Sequence, residues 1–174
     1  MYVLGIDPGL TRCGYGCVDA RSGQQRAVAA GLITTPLDLS LPDRLALLRK
    51  ELVTLMGELQ PDAVVVERVL FQTNARTAMS VGQASGLALA TAAESRIEVA
   101  EYSSNEVKLA VAGYGAATKM QVQEMVTKLL NLREIPRPPD VADALALAVC
   151  HLAMIRGHGL VEANTSPGRR RRFS

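Results

Sequence analysis

The stretch Tyr2-Val3-Leu4-Gly5-Ile6-Asp7-Pro8-Gly9 (YVLGIDPG) settles the architecture expected of this chain. An apolar run closed by a carboxylate predicts a short buried strand, Tyr2 to Asp7, and Asp7-Pro8-Gly9 is a turn signal. Gly14 to Val18 continues as a second strand, and a turn around Arg21-Ser22-Gly23 leads to a third at Arg26 to Thr34. Short turns between successive strands imply an antiparallel meander.

The pattern then changes. Leu45, Leu48, Leu52, Leu55 and Leu59 recur at helical spacing within Leu41 to Leu59, and Pro61 stops the helix. Ala63 to Glu67 (AVVVE) is a continuous apolar run ending in an acid, the pattern of a central strand covered on both faces. A helix over Ala75 to Glu94 leads to a fifth strand at Ile97 to Glu101. Strand, helix, strand, helix, strand implies right-handed parallel crossovers. The fold class is therefore α/β, a five-stranded mixed sheet in the order 3-2-1-4-5 flanked by helices.

The last third reads as helical. Ser103-Ser104-Asn105-Glu106 and Thr118-Lys119-Met120-Gln121 have the form of capping boxes. Pro138-Pro139-Asp140 opens a final helix expected to run to about Arg156, apolar almost all round from Ala144 to Met154 and so buried against the sheet. From Gly157 the chain is rich in Gly, Pro and Arg. Residues 1–156 are expected to form one domain and 157–174 a flexible basic tail.

Hydrophobic residues make up 48% of the 174, which excludes disorder of the whole chain. Four of the nineteen basic residues are Arg169 to Arg172; without them fifteen basic residues face seventeen acidic ones. Nucleic acid would have to be bound by local clusters and not by overall charge. Three cysteines, Cys13, Cys17 and Cys150, and no charged segment leading into an apolar stretch suit a cytoplasmic protein in a reducing compartment. Their spacing does not favour zinc. The least polar run, Ala78 to Ala93, is interrupted by Ser80, Gln83, Ser85 and Thr91, short of the ~18 apolar residues of a membrane span.

Strands one and four end in Asp7 and Glu67, neighbours at the carboxyl edge of a parallel pair, where α/β folds place ligands. Asp140 and Asp143 share a face in the first turn of the last helix. Each acid has an ordinary alternative: a turn residue, a strand end, or acids complementing a helix dipole. If all four converge, two carboxylates about 4 Å apart repel by roughly 4 kcal/mol at an effective dielectric of about 20. No lysine or arginine is close enough in sequence to neutralise them, so divalent cations are expected. Oxygen-only ligands suit Mg²⁺, with Mn²⁺ the alternative. Two ions ~3.5–4 Å apart could activate water and stabilise a leaving 3′ oxygen in phosphodiester hydrolysis.

The blocks IDPGLTRCGYG, VVVERV, NEVKLAVAGYGAATKMQVQ and PPDVADALALAVCH, taken together, resemble the RuvC family of bacterial Holliday-junction resolvases from residue 1 to about 156. The resemblance implies a ribonuclease-H-like fold and a homodimer that nicks opposed strands of a four-way DNA junction. It also implies partnership with the RuvA–RuvB branch-migration motor. By this resemblance Asp7, Glu67, Asp140 and Asp143 are the catalytic, metal-binding carboxylates. Lys108 and Lys119 match basic positions near the scissile phosphate. Where some members carry a base-wedging Phe, this chain has Leu70, with Phe71 next; a core role for Phe71 is an equal alternative. Arg12, Arg68 and Arg76 surround the expected site and could position phosphates. The small-residue helix around Ala75 to Ala93 corresponds to a dimerisation region, and read alone is equally a core helix.

Three rivals remain at this point. Asp7-Pro8-Gly9-Leu10-Thr11 also resembles the phosphate loop of actin-like ATPases and sugar kinases, but those need a second lobe. A related nuclease family processes ribosomal RNA precursors, and the Lys108 to Gln121 block favours the resolvase. A junction-binding module without chemistry would not need all four acids.

Overall fold

The computed structural model describes residues 1–68 and 75–165, with side chains described for 1–68 and 77–157. Leu70, Phe71 and Arg169 to Arg172 lie outside the described residues, and Arg76 is described only by its place in a helix. The elements in order are β1 (Tyr2–Asp7), β2 (Arg12–Asp19), β3 (Arg26–Thr34), α1 (Leu41–Leu59), β4 (Ala63–Glu67) and α2 (Ala75–Glu94). They are followed by β5 (Glu98–Tyr102), α3 (Ser104–Ala112), α4 (Lys119–Leu129) and α5 (Pro139–Thr165).

The five strands form one sheet in the order β3-β2-β1-β4-β5. β1 pairs antiparallel with β2 and parallel with β4, and β4 pairs parallel with β5. Strand periodicity sorts the side chains into two layers. Leu4, Ile6, Val64 and Val66 face α1 and α2, in a core with Leu48, Leu52, Met56, Ala84 and Ala88. Val3 and Val65 face the other layer, against Leu145, Ala148, Val107 and Val126 of α5, α3 and α4. The same alternation puts Asp7 and Glu67 on the α5 side.

Local chemistry sets the helix starts. Ser40 caps α1 by accepting from the Asp43 amide. Both expected capping boxes form, Ser103 with Glu106 on α3 and Thr118 with Gln121 on α4. Pro139 opens α5, where its fixed φ suits the first helical position and no amide is lost.

The structure moves some limits. β2 begins at Arg12 instead of Gly14, and β5 is displaced by one residue. The final helix does not end near Arg156 but continues to Thr165, so the first part of the expected tail is helical. Gly157 and Gly159 each cost only about 1 kcal/mol relative to alanine in a helix. Among the described residues, no helix is long and apolar enough to cross a membrane.

α5 lies against β1 and β2 on a floor of glycines. Gly5 pairs with Gly16 and Asp7 with Gly14 across the two strands. A Cβ on Gly5 would stand 1.9 Å from the Ala144 carbonyl oxygen, and one on Gly14 would stand 2.2 Å from the Asp140 carbonyl oxygen. One on Gly16 would meet Leu145 Cγ at 2.6 Å. Only bare backbone allows the helix this close.

Candidate active site

β1 and β4 run in register as Val3 with Ala63 through Ile6 with Val66, so continuing the pairing by one residue sets Asp7 beside Glu67. Both point to the layer that holds α5, which carries Asp140 in its first turn and Asp143 three residues on. A cleft of about 290 Å³ opens there, lined by Asp7, Glu67 and Asp143 together with Lys108 and Lys119. Val107, Val122 and Leu147 form its apolar wall. Asp140 stands outside this lining, on the β2 side, where it meets Arg12.

The acids act on one another. Burial, followed by the charges of Asp143, Glu67 and Asp140, pushes the Asp7 carboxyl up to about 7, against a lowering influence from Lys119. Burial and Asp143 also raise Glu67, opposed by Lys119 and Lys108. Burial and like charges both disfavour the ionised form of these two acids.

Two cations answer the expectation that no basic residue was near enough in sequence. The fold supplies them from a distance. Lys119, the first residue of α4, forms an ion pair with Asp143. Arg12, the first residue of β2, bonds Asp140 at 2.5 Å. Desolvation opposes the Lys119 ammonium, but its bond to Asp143 and the fields of Asp143, Asp7 and Asp140 carry its pKa above the ordinary lysine value. Lys108 of α3 lines the cleft beside Glu67. Arg68 is turned the other way, donating to the Glu101 carbonyl at 3.1 Å and standing 3.8 Å from Glu106.

Oxygen is the only donor type the four acids offer, which suits a hard divalent ion in chemistry. Among the described residues, however, no three acidic, histidine or cysteine groups close on one point at ligating distance. Asp143 and Asp140 are turned to their cations instead. A divalent ion would take over the role Lys119 and Arg12 fill, and the two aspartates would have to exchange partners to hold it. Cys13, Cys17 and Cys150 are free, buried thiols, and burial holds each above the ordinary thiol pKa.

Sequence reasoning missed the glycine floor that sets the height of Asp140. The available signal was CGYGC, where glycine inside a strand marks a close backbone approach. It also missed the pairing of Arg12 and Lys119 with particular aspartates, which leaves no local pattern.

The comparisons decide the family. A family model described as crossover junction endodeoxyribonuclease RuvC matches residues 3–151. The chain belongs to the RuvC family. A RuvC of Syntrophomonas wolfei is 47% identical over 172 residues, covering 98% of this chain and all of the relative. One of Moorella thermoacetica is 52% identical over 151 residues, covering 87% and 90%. Among solved structures, T. thermophilus RuvC in complex with Holliday junction substrate aligns with a TM-score of 0.82 at 32% identity, covering 90% of this chain and 96% of that one. The T. thermophilus RuvC structure gives 0.83 at 34% identity, covering 91% and 97%. The sheet order and flanking helices are the ribonuclease-H-like architecture of this RuvC family, as the sequence blocks implied.

Proposed function

We propose that this RuvC chain is a divalent-metal-dependent endonuclease that resolves four-way DNA junctions by paired, symmetric nicks in recombination and repair. The single observation that carries the reading is the meeting of Asp7 from β1, Glu67 from β4 and the Asp140–Asp143 turn of α5 at one sheet edge. Lysines flank it on α3 and α4, within a fold shared with a RuvC solved on its junction.

The four acids are the ligands and the catalytic groups. Magnesium is the expected ion, with manganese able to replace it, and two ions per site would polarise the phosphate, ready a water and stabilise the departing oxygen. Lys108 and Lys119 hold the phosphate between the acids and the apolar wall. Asp7 and Glu67 orient the attacking water on the sheet side. Water oxygen bonds to phosphorus and releases a proton to solvent as the bond from phosphorus to the 3′ oxygen breaks. The departing oxygen takes a proton, leaving a 5′-phosphate and a 3′-hydroxyl.

Two nicks need two sites, so the working unit is a homodimer. The exposed face of α2, with Gly82, Gly86 and Met79, offers the close helix approach a dimer contact uses. Arg76, Leu70 and Phe71 stand in sequence just before or at the start of that helix and are assigned to the junction centre. The family resemblance carries the partnership with RuvA–RuvB and a cytoplasmic site of action.

The test is a synthetic mobile junction incubated with Mg²⁺ or Mn²⁺, comparing the native chain with Asp7→Asn. Paired nicks from the first and junction binding without nicks from the second are expected. Equal cutting by both, or preference for structured RNA over the junction, would overturn the reading.

A further inference from the structure

β3 runs parallel to β1, so its end at Thr34 lies at the same sheet edge as Asp7. The chain then turns into α1, whose first turn brings Arg44 back over the β1–β2 connection. Arg44 is half-buried there. Its Nε donates to Thr35 Oγ1 at 2.9 Å, and its terminal nitrogen donates to Thr11 Oγ1 at 2.8 Å. Thr35 is 3% exposed, and its hydroxyl donates in turn to the Leu10 carbonyl at 2.5 Å. The Thr35 amide reaches the Thr11 carbonyl at 3.3 Å.

Two consequences follow from counting donors. Thr35 gives its one hydroxyl proton to Leu10 and accepts from Arg44, so it has no proton left for an outside anion. Thr11 is exposed, and its hydroxyl oxygen accepts from a cation. Its proton is therefore left to point away from Arg44, towards an acceptor that approaches from solvent. Arg44 itself forms no ion pair with a carboxylate among the described residues; the acids Asp140, Asp143 and Glu106 are taken by Arg12, Lys119 and Arg68. A half-buried guanidinium bonded only to neutral hydroxyls keeps its full charge for an outside anion.

We propose that Thr11 and Arg44 form a second phosphate-contact site, on the β2–β3 side of the acids, for the backbone of the bound DNA strand. Thr11 donates to a phosphate oxygen, and Arg44 supplies charge behind it and fixes the hydroxyl. Lys108 and Lys119 line the cleft with Asp7, Glu67 and Asp143 in the α5 layer, whereas α1 packs on the opposite face of the sheet. Arg12, one residue from Thr11, stays with Asp140 and is the link between the site and this contact. The inference rests on the junction-nuclease reading above.

Binding of a four-way junction in EDTA, titrated from low to high salt, tests it, with cleavage in Mg²⁺ read alongside. Arg44→Met is expected to weaken binding about tenfold and to flatten the salt dependence by about one phosphate's worth, close to 0.9 in the log–log slope. Thr11→Val should weaken binding several-fold with the slope unchanged, and Thr11→Ser should restore it. Adding Thr11→Val to Arg44→Met should cost little more, because without the guanidinium the Thr11 hydroxyl is no longer oriented towards the phosphate. Arg44→Lys, which keeps the charge, should keep the slope and serves if the methionine variant is unstable. Native slope and affinity in Arg44→Met, or an additive double variant, would overturn the proposal. A native protein that neither binds nor cuts the junction would instead sink the parent reading.

Discussion

Gly14 pairs with Asp7 across the first two strands and lies directly beneath Asp140, whose carbonyl oxygen would be 2.2 Å from any Cβ placed there. One missing side chain thus sets the separation between an acid on the sheet and an acid on the last helix. The obstacle is backbone, which cannot swing aside as a flexible side chain would.

Gly14→Ala should therefore lift the first turn of α5 away from β2. We expect a stability loss of about 1–3 kcal/mol from overpacking. Cleavage should fall about 100-fold, since displacing a reacting group by about 1 Å has that effect. Junction affinity should fall much less. Thermal melting and single-turnover cleavage measure the two effects.

Leu52→Ala offers the opposite profile. Leu52 is fully buried between α1 and the sheet, on the face away from the acids. Its loss should cost about 2–5 kcal/mol, with cleavage below the melting transition close to native. A matching loss of kcat would mean that the two faces of the sheet are coupled.

Lys119 both pairs with Asp143 and lowers the proton affinity of Asp7 and Glu67. Lys119→Met should reduce kcat about 10- to 100-fold. It should also move the acid limb of the pH–rate profile upward, because Asp7 loses a charge that favours its ionised form. An unmoved acid limb would show that the ammonium does not act on Asp7.

The position of Asp7 near 7 fixes a pH dependence of stability for the metal-free protein. Between about 4 and 7 the unfolded chain has released this proton and the folded chain still holds it, so folding loses stability as pH rises through that window. Above about 7 both forms are ionised and the loss levels off. Asp7→Asn removes this contribution, leaving the smaller one of Glu67, which is raised by burial and Asp143. The variant's melting temperature should exceed that of the native chain by a margin that widens from pH 4 to pH 7 and is constant beyond.

Added Mg²⁺ should reverse that margin, because the ion and the proton compete for the same carboxylate. The rise in melting temperature on adding Mg²⁺ should be small at pH 5.5 and large at pH 8, and nearly absent in Asp7→Asn. A rise independent of pH would place the ion elsewhere.

The strand order was legible from local patterns. YVLGID and AVVVE read as buried strands ending in acids, and short turns against helical crossovers fixed which pairs run antiparallel and which parallel. Ser103–Glu106 and Thr118–Gln121 announced two helix starts through capping chemistry confined to four residues. Periodicity of two set Asp7 and Glu67 on one face, and one helical turn set Asp140 and Asp143 together. Such features depend on neighbours within a turn or a strand, so the sequence by itself determines them.

What joined Arg12 to Asp140, 128 residues apart, was the path of the whole chain. The same holds for Lys119 on Asp143, for Arg44 over Thr11 and Thr35, and for the glycine floor under α5. Ion pairs and close backbone approaches depend on where distant segments come to rest in space, and side-chain spacing carries no record of that. The acids were therefore visible in the sequence, while the cations that balance them were decided only when the sheet and its helices packed.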